Sequence, residues 1–117
     1  MNNRGKYAEL KATEYLKKKH YKLVDYNYSC KFGEIDIIVK NKKYIVFVEV
    51  KMRDENSIAS PKEFVTYSKQ QKMIAAAQMY LMRNPTDLQP RFDVIEVICK
   101  DGKIKSVKHL ENAFQLD

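Results

Sequence analysis

The apolar positions of this chain change period along its length, and the changes predict where its elements lie. Ala8, Ala12, Tyr15 and Leu16 recur at helical spacing while Lys11, Lys17 and Lys18 stay in water, so a helix is predicted from a cap at Asn2 or Asn3 to about Lys19. Lys17-Lys18-Lys19-His20 closes it, with cations at the negative end of the helix dipole. Tyr21 to Tyr28 alternates loosely and reads as a first strand whose tyrosines serve packing. Cys30 to Gly33 connects onward, with Gly33 expected to supply backbone freedom. Two apolar runs, Ile35 to Val39 and Ile45 to Val50, then predict a strand pair. Met52 to Pro61 is polar and aperiodic and reads as a mobile loop. From Pro61 to about Asn84 a second helix is expected, its stripe formed by Met73, Ile74, Ala77, Tyr80 and Leu81. Phe92 to Cys99 is apolar on both faces, as in a central strand. Asp101-Gly102 is a turn signal leading to a last strand near Ile104 to His109, with Phe114 packing back on the domain. The order is α-β-β-β-α-β-β, an α/β single domain over residues 1–117 with a mixed sheet flanked by helices.

The strand pair carries charges where aliphatic residues are expected. Asp36 interrupts the first run, and Glu49 with Lys51 interrupts the second. Charges are rarely buried without a task. Glu49 and Lys51 are two apart on a strand and point the same way. Asp36 joins them only if the register allows it, because a slip of one residue reverses its face. A two-residue turn at Asn41-Lys42 pairs Lys40 with Lys43 and sets Asp36 opposite Phe47, diagonal to Glu49 at roughly 7–8 Å. Any even loop length keeps that parity. Two carboxylates so placed could share a hard cation such as magnesium, which takes oxygen ligands at about 2.0–2.1 Å. Lys51 then has two roles open to it: orienting or deprotonating an attacking water, or neutralising charge on a phosphate. The plainer reading is an exposed Glu-Lys ion pair, worth under about 1 kcal/mol. Asp36 within an aliphatic run weighs against it, since Asp is depleted in strands.

Further candidates surround this core. Glu9 falls at the border of the first helical stripe, either leaning toward the sheet or solvated. Glu34 shares the Asp36 face and ranks below it as an auxiliary acid. Gln70 extends the second helix's buried stripe and needs a partner. It either bonds the Lys51 water or a phosphate, or satisfies free backbone groups at the helix start. Arg53 and Lys69 are the candidate phosphate contacts. Arg91 and Asp93 are read as a structural pair, and His20 and His109 as surface or interface residues.

Charge changes the picture in one direction. Twenty-two Lys+Arg against 15 Asp+Glu leave a net +7, which favours an anionic partner such as nucleic acid. Cys30 and Cys99 lack C-x-x-C spacing, so a reduced, cytoplasmic protein without a membrane span is expected.

Asp36 followed by Glu49-Val50-Lys51 resembles the core of the PD-(D/E)xK nuclease superfamily, with Ile35 where the name-giving proline would stand. More closely, the chain resembles the small YraN-like bacterial proteins assigned to that superfamily. The matching pieces are Gly5 with Glu9, Asn27-Tyr28, Gly33-Glu34-Ile35-Asp36, Phe47 to Lys51 with Arg53, Lys69-Gln70, Arg91-Phe92-Asp93 and Asn112-Ala113-Phe114. They cover nearly the whole chain. It departs from the pattern at Ala8 and Met52, where glycine and threonine are usual, and at Ser29, where arginine is often found. The resemblance implies a restriction-endonuclease-like αβββαββ core and a metal-dependent endonuclease-like activity on DNA, branched or structured as for junction-cutting, Holliday-junction-resolvase-like relatives. Asp36, Glu49, Lys51 and Gln70 are the candidate catalytic set, and Glu9, Asp36 and Glu49 the candidate ligands for Mg²⁺ or Mn²⁺. A two-fold dimer would suit cutting two strands. The opposing expectation is a nucleic-acid-binding module or subunit that keeps the site without cleaving, and a third is a small basic protein bound to RNA or the ribosome.

Overall fold

The computed structural model describes residues 3–56 and 65–115, with side chains from residue 5 onward. Helix α1 spans Asn3–Lys18, followed by strands β1 (Lys22–Cys30), β2 (Gly33–Lys40) and β3 (Tyr44–Asp54), helix α2 (Tyr67–Arg83), and strands β4 (Gln89–Lys100) and β5 (Lys103–Phe114). The sheet runs β1-β2-β3-β4-β5 in space. Neighbours are antiparallel except β3 and β4, whose parallel pairing needs a crossover, and α2 lies in that connection. The fold is thus α/β, a mixed five-stranded sheet with two helices.

Both faces of the sheet are covered, which is why its middle strands carry apolar residues on both sides. Ala8, Ala12 and Leu16 of α1 pack over Ile37, Val39, Val46, Val48, Ile95 and Val97. On the opposite face Met73, Ala76, Ala77 and Tyr80 of α2 pack over Ile38, Ile45, Phe47, Phe92 and Val94. Phe92 stacks on Phe114 at 5.0 Å between ring centroids, so the end of β5 closes the α2 side, as the tail's Phe114 predicted.

α1 ends one residue earlier than expected, in a motif with left-handed His20 (φ 71°). The Tyr21 N–H reaches the Leu16 carbonyl and the His20 N–H that of Lys17, both at 3.0 Å, satisfying carbonyls the helix leaves free. The Asp101-Gly102 turn forms as predicted, both residues having positive φ between paired Lys100 and Lys103.

Several expectations are corrected. The β2–β3 turn does not close on two residues: Lys40 pairs with Ile45, and four residues lie between. Asn41 is the cause, since its Oδ1 accepts the N–H groups of Lys43 (2.9 Å) and Tyr44 (2.7 Å) and holds a wider turn. Phe47 therefore faces Ile38, not Asp36, although the parity stays even. Gly33 has no positive φ; a Cβ there would stand 3.0 Å from the Lys72 carbonyl oxygen, so glycine permits β2 to approach α2 closely. β3 runs on to Asp54, because Met52 pairs with Val97 and packs on the α1 side. α2 begins at Tyr67, where the Thr66 side chain accepts the Lys69 N–H. The expected cap at Asn2, the loop from residue 57 and the helix start at Pro61 lie outside the described residues.

Candidate functional site

On β2 alternation fails at Asp36, and the site forms there. Ile35 packs on the α2 side and Ile37 on the α1 side, although residues two apart on a regular strand share a face. On β1 the flanking pairs Tyr26↔Ile37 and Tyr28↔Ile35 enclose Asn27, which takes the left-handed conformation at φ 52°. Both strands turn over together. The β2–β3 ladder ends at Ile37↔Val48, while β2 continues beside β1 through Ile35 and Glu34. In the fork so opened, the Val50 N–H donates to Asp36 Oδ2 at 2.8 Å, a side-chain bond where the ladder stops.

Glu49 lies across the fork, buried, on the same face of β3 as Phe47. Its burial is the largest of several effects that push its carboxyl up to about 8; a hydrogen bond with the Asp36 carboxyl and the Asp36 charge add to it, and Lys69 and Lys51 pull the other way. Raised that far, the Glu49 carboxyl holds its proton at neutral pH. Lys69 of α2 brings its Nζ to 3.5 Å from Glu49 Oε2 and 4.0 Å from Glu34 Oε1. Glu9 arrives from α1, half-buried, its carboxyl raised first by burial and then by the charges of Asp36 and Glu34, with Lys6 opposing. The structure therefore brings Glu9, Glu34, Asp36, Glu49, Lys51 and Lys69 to one end of the sheet.

Two other candidates sit differently. Gln70 donates its side-chain amide to the Val65 carbonyl at 3.1 Å, the second of the roles left open for it. Arg53 pairs with Glu96 of β4, Nε to Oε2 at 3.1 Å. Glu96 is fully buried, directly across from Lys51 in the parallel register, and neither of its oxygens gains a well-aligned hydrogen bond.

Asp93 anchors a second polar cluster that sequence reasoning saw only as a pair. Arg91 donates to both Asp93 oxygens (2.9 and 2.7 Å), His109 Nε2 lies 2.7 Å away and the Asn112 N–H donates at 3.0 Å. Burial works to raise the Asp93 carboxyl, but the bonds from His109, Arg91 and Asn112 hold it below the usual range. The His109 side chain is accordingly buried, not on the surface, because Asp93 and Tyr15 engage its two ring nitrogens. Among the described residues Asp93, His109 and Glu111 are the set whose ligand atoms converge within 4.8 Å. That convergence is a finished hydrogen-bond network: the Asp93 oxygens are spoken for by an arginine, a histidine and an amide. Asp93 and Glu96 both interrupt the apolar run Phe92 to Cys99, the same signal that singled out Asp36.

The donors at the fork fit a hard cation. Asp36, Glu49 and Glu9 offer carboxylate oxygens alone, without sulfur or imidazole, and a divalent ion would offset charge where burial and Asp36 now raise the Glu49 carboxyl. Glu9, Asp36 and Glu49 do not form a set converging within 4.8 Å among the described residues.

No helix among the described residues is long and apolar enough to cross a membrane. Residues 8–97 match the uncharacterised protein family UPF0102. A UPF0102 protein of Caldanaerobacter subterraneus subsp. tengcongensis is 45% identical over 113 residues, covering 94% of this chain and 93% of its own. Its counterpart in Clostridium botulinum strain Loch Maree is 44% identical over 115 residues, covering 96% and 94%. With the family match spanning most of the chain and the relatives aligned nearly end to end, the chain belongs to the UPF0102 family, the YraN-like proteins its motifs resemble.

Proposed function

We propose that this chain is a metal-dependent, endonuclease-like protein of the PD-(D/E)xK superfamily that hydrolyses phosphodiester bonds in DNA, on a restriction-endonuclease-like core. The observation that carries the reading is the meeting of the half-buried Asp36 carboxyl, held by the Val50 N–H, with the buried Glu49 carboxyl at the fork of β2 and β3, and Lys51 and Lys69 beside them. A structural ion pair needs no second carboxylate. Asp36 and Glu49 would hold Mg²⁺ or Mn²⁺, with Glu9 as the further ligand. When bound, that ion would neutralise the scissile phosphate and acidify a water. The chain's own contributions are distinct. The Val50 amide fixes the Asp36 carboxyl, Lys51 on the Glu49 face holds positive charge where a phosphate would gain negative charge, and Lys69 offsets the acids until substrate arrives. Branched or structured DNA is the substrate class proposed, and a two-fold dimer would let two such sites act on two strands.

The test is incubation of the purified protein with linear, flapped and four-way DNA, with Mg²⁺ or Mn²⁺ and in EDTA, beside Lys51→Ala. Metal-dependent cleavage that Lys51→Ala loses is expected. Binding without cleavage in either metal would instead identify a non-catalytic module that retains the site.

A further inference from the structure

At the far end of the same strands lies a concentration of charge that the carboxylate site does not use. The end of α1 and the β2–β3 turn bring Lys19, Lys22, Lys40, Asn41, Lys42 and Lys43 around one open concavity of about 490 Å³. No acidic residue lines it. Among the described residues none of these five lysines pairs with a carboxylate, whereas Lys11, Lys18, Lys69, Lys100 and Lys105 all do. Lys19 and Lys43 rest over the rings of Tyr15 and Tyr44 at 5.8 and 5.2 Å, which seats the ammonium groups without neutralising them. Lys22 stands directly opposite Lys40 in the β1–β2 register, a like-charge pairing that costs stability in a sheet. The turn that presents Lys42 and Lys43 is held by Asn41, whose side chain accepts two backbone N–H groups. The five lysines are exposed, so nothing in the core requires charge there.

We infer that this lysine concavity is a docking surface for the phosphate backbone of duplex DNA, separate from the carboxylates and serving to hold the polymer across them. The inference rests on the proposed nucleic-acid reading and adds a second contact region to it. The spacing suits one ligand. Lys40 lies four residues along β2 from Asp36, about 13 Å at about 3.3 Å per residue, which a duplex covers in about four base pairs at about 3.4 Å each. Lysine ammoniums as point charges, without the planar fork of arginine, fit backbone attraction rather than base reading.

The experiment is a titration of labelled duplex DNA of about 30 base pairs, in EDTA, between about 50 and 200 mM salt. Three proteins are compared: wild type, Lys40→Gln/Lys42→Gln/Lys43→Gln, and Lys100→Gln/Lys103→Gln/Lys105→Gln, which removes equal charge at the β4–β5 turn. The first triple variant should lose at least about tenfold in affinity at the lower salt and flatten the log K against log salt slope by about 2–3, near 0.9 per lost phosphate contact. The control should keep most of both. Melting curves check that each variant is folded, and the metal-induced rise in melting temperature should match wild type in the first variant. Equal losses in the two triple variants would reduce the effect to net charge and overturn the docking surface while leaving the nuclease-like reading intact. Wild type that fails to bind even at the lower salt would overturn both.

Discussion

Glu49 and Asp36 occupy a position where folding and chemistry pull in opposite directions. The folded-state carboxyl of Glu49 is pushed up to about 8 from an ordinary 4.5, so the folded protein holds a proton that the unfolded chain releases earlier. A raised pKa contributes stability that is fully present below the unfolded value and is lost as pH rises through the folded one. In EDTA the wild-type melting temperature should therefore fall between about pH 5 and pH 8 on account of this pair. Glu49→Gln keeps a hydrogen bond to Asp36 and has no proton to lose, so above pH 8 it should be the more stable protein by a few kcal/mol. Mg²⁺ should restore wild-type stability there and leave Glu49→Gln unmoved, as thermal melts over this pH range would show. Unchanged melting of wild type across the range in EDTA would contradict the raised Glu49 carboxyl. Asp36 and Glu49 were legible in the sequence because each breaks an aliphatic run. Glu96 breaks one too, but its partner Arg53 comes from β3, and only the parallel register of β3 and β4 makes them meet. Nothing local in the sequence encodes that register.

At the scale of elements, the site depends on how closely β2 approaches α2. Gly33 opens β2 against the backbone of Lys72, and Lys69, one helical turn earlier, is the residue that reaches Glu49. A methyl group at residue 33 would press on the carbonyl oxygen, β-carbon and carbonyl carbon of Lys72 at 3.0, 3.1 and 3.3 Å. Backbone cannot rotate away as a side chain can. Gly33→Ala should therefore cost about 1–3 kcal/mol by overpacking. It should also draw Lys69 off Glu49, which raises the Glu49 carboxyl further, so that in EDTA the pH-dependent loss of stability is larger and runs to higher pH than in wild type. Denaturant unfolding at two pH values measures both effects; a Gly33→Ala variant as stable as wild type would remove this contact as a determinant of the site. The elements themselves followed from periodicity, since each strand and helix shows its apolar spacing. Their ends did not. β3 extends past Lys51 because β4 pairs with Met52 and Arg53, α2 starts where Thr66 caps it, and the turn widens because Asn41 captures two amides.

For the whole molecule, the question is what the carboxyl pair does to an approaching polyanion. The molecule is cationic at +7, and the fork is the place where acids gather within it. At neutral pH the proton that Glu49 retains lowers the negative charge of the fork. Asp36→Asn carries no more negative charge than that, because its Oδ1 can still accept the Val50 N–H while burial, the largest cause, goes on raising the Glu49 carboxyl. Near pH 7 in EDTA the variant should thus bind DNA at least as tightly as wild type. Above pH 8 wild type carries both charges and the variant one, so Asp36→Asn should become the tighter binder by a factor of a few. Lys51→Ala should bind more weakly than wild type at either pH, since it removes a cation from the same face. With Mg²⁺ present the order inverts for Asp36→Asn: it loses a ligand, and with it any cleavage and any metal-dependent gain in affinity. Titrating labelled DNA with the three proteins at pH 7 and pH 9, with and without Mg²⁺, reads all of these. If Asp36→Asn stays folded yet binds much more weakly than wild type in EDTA at both pH values, Asp36 serves the fold through Val50 rather than a cation, and the fork is not the reactive site.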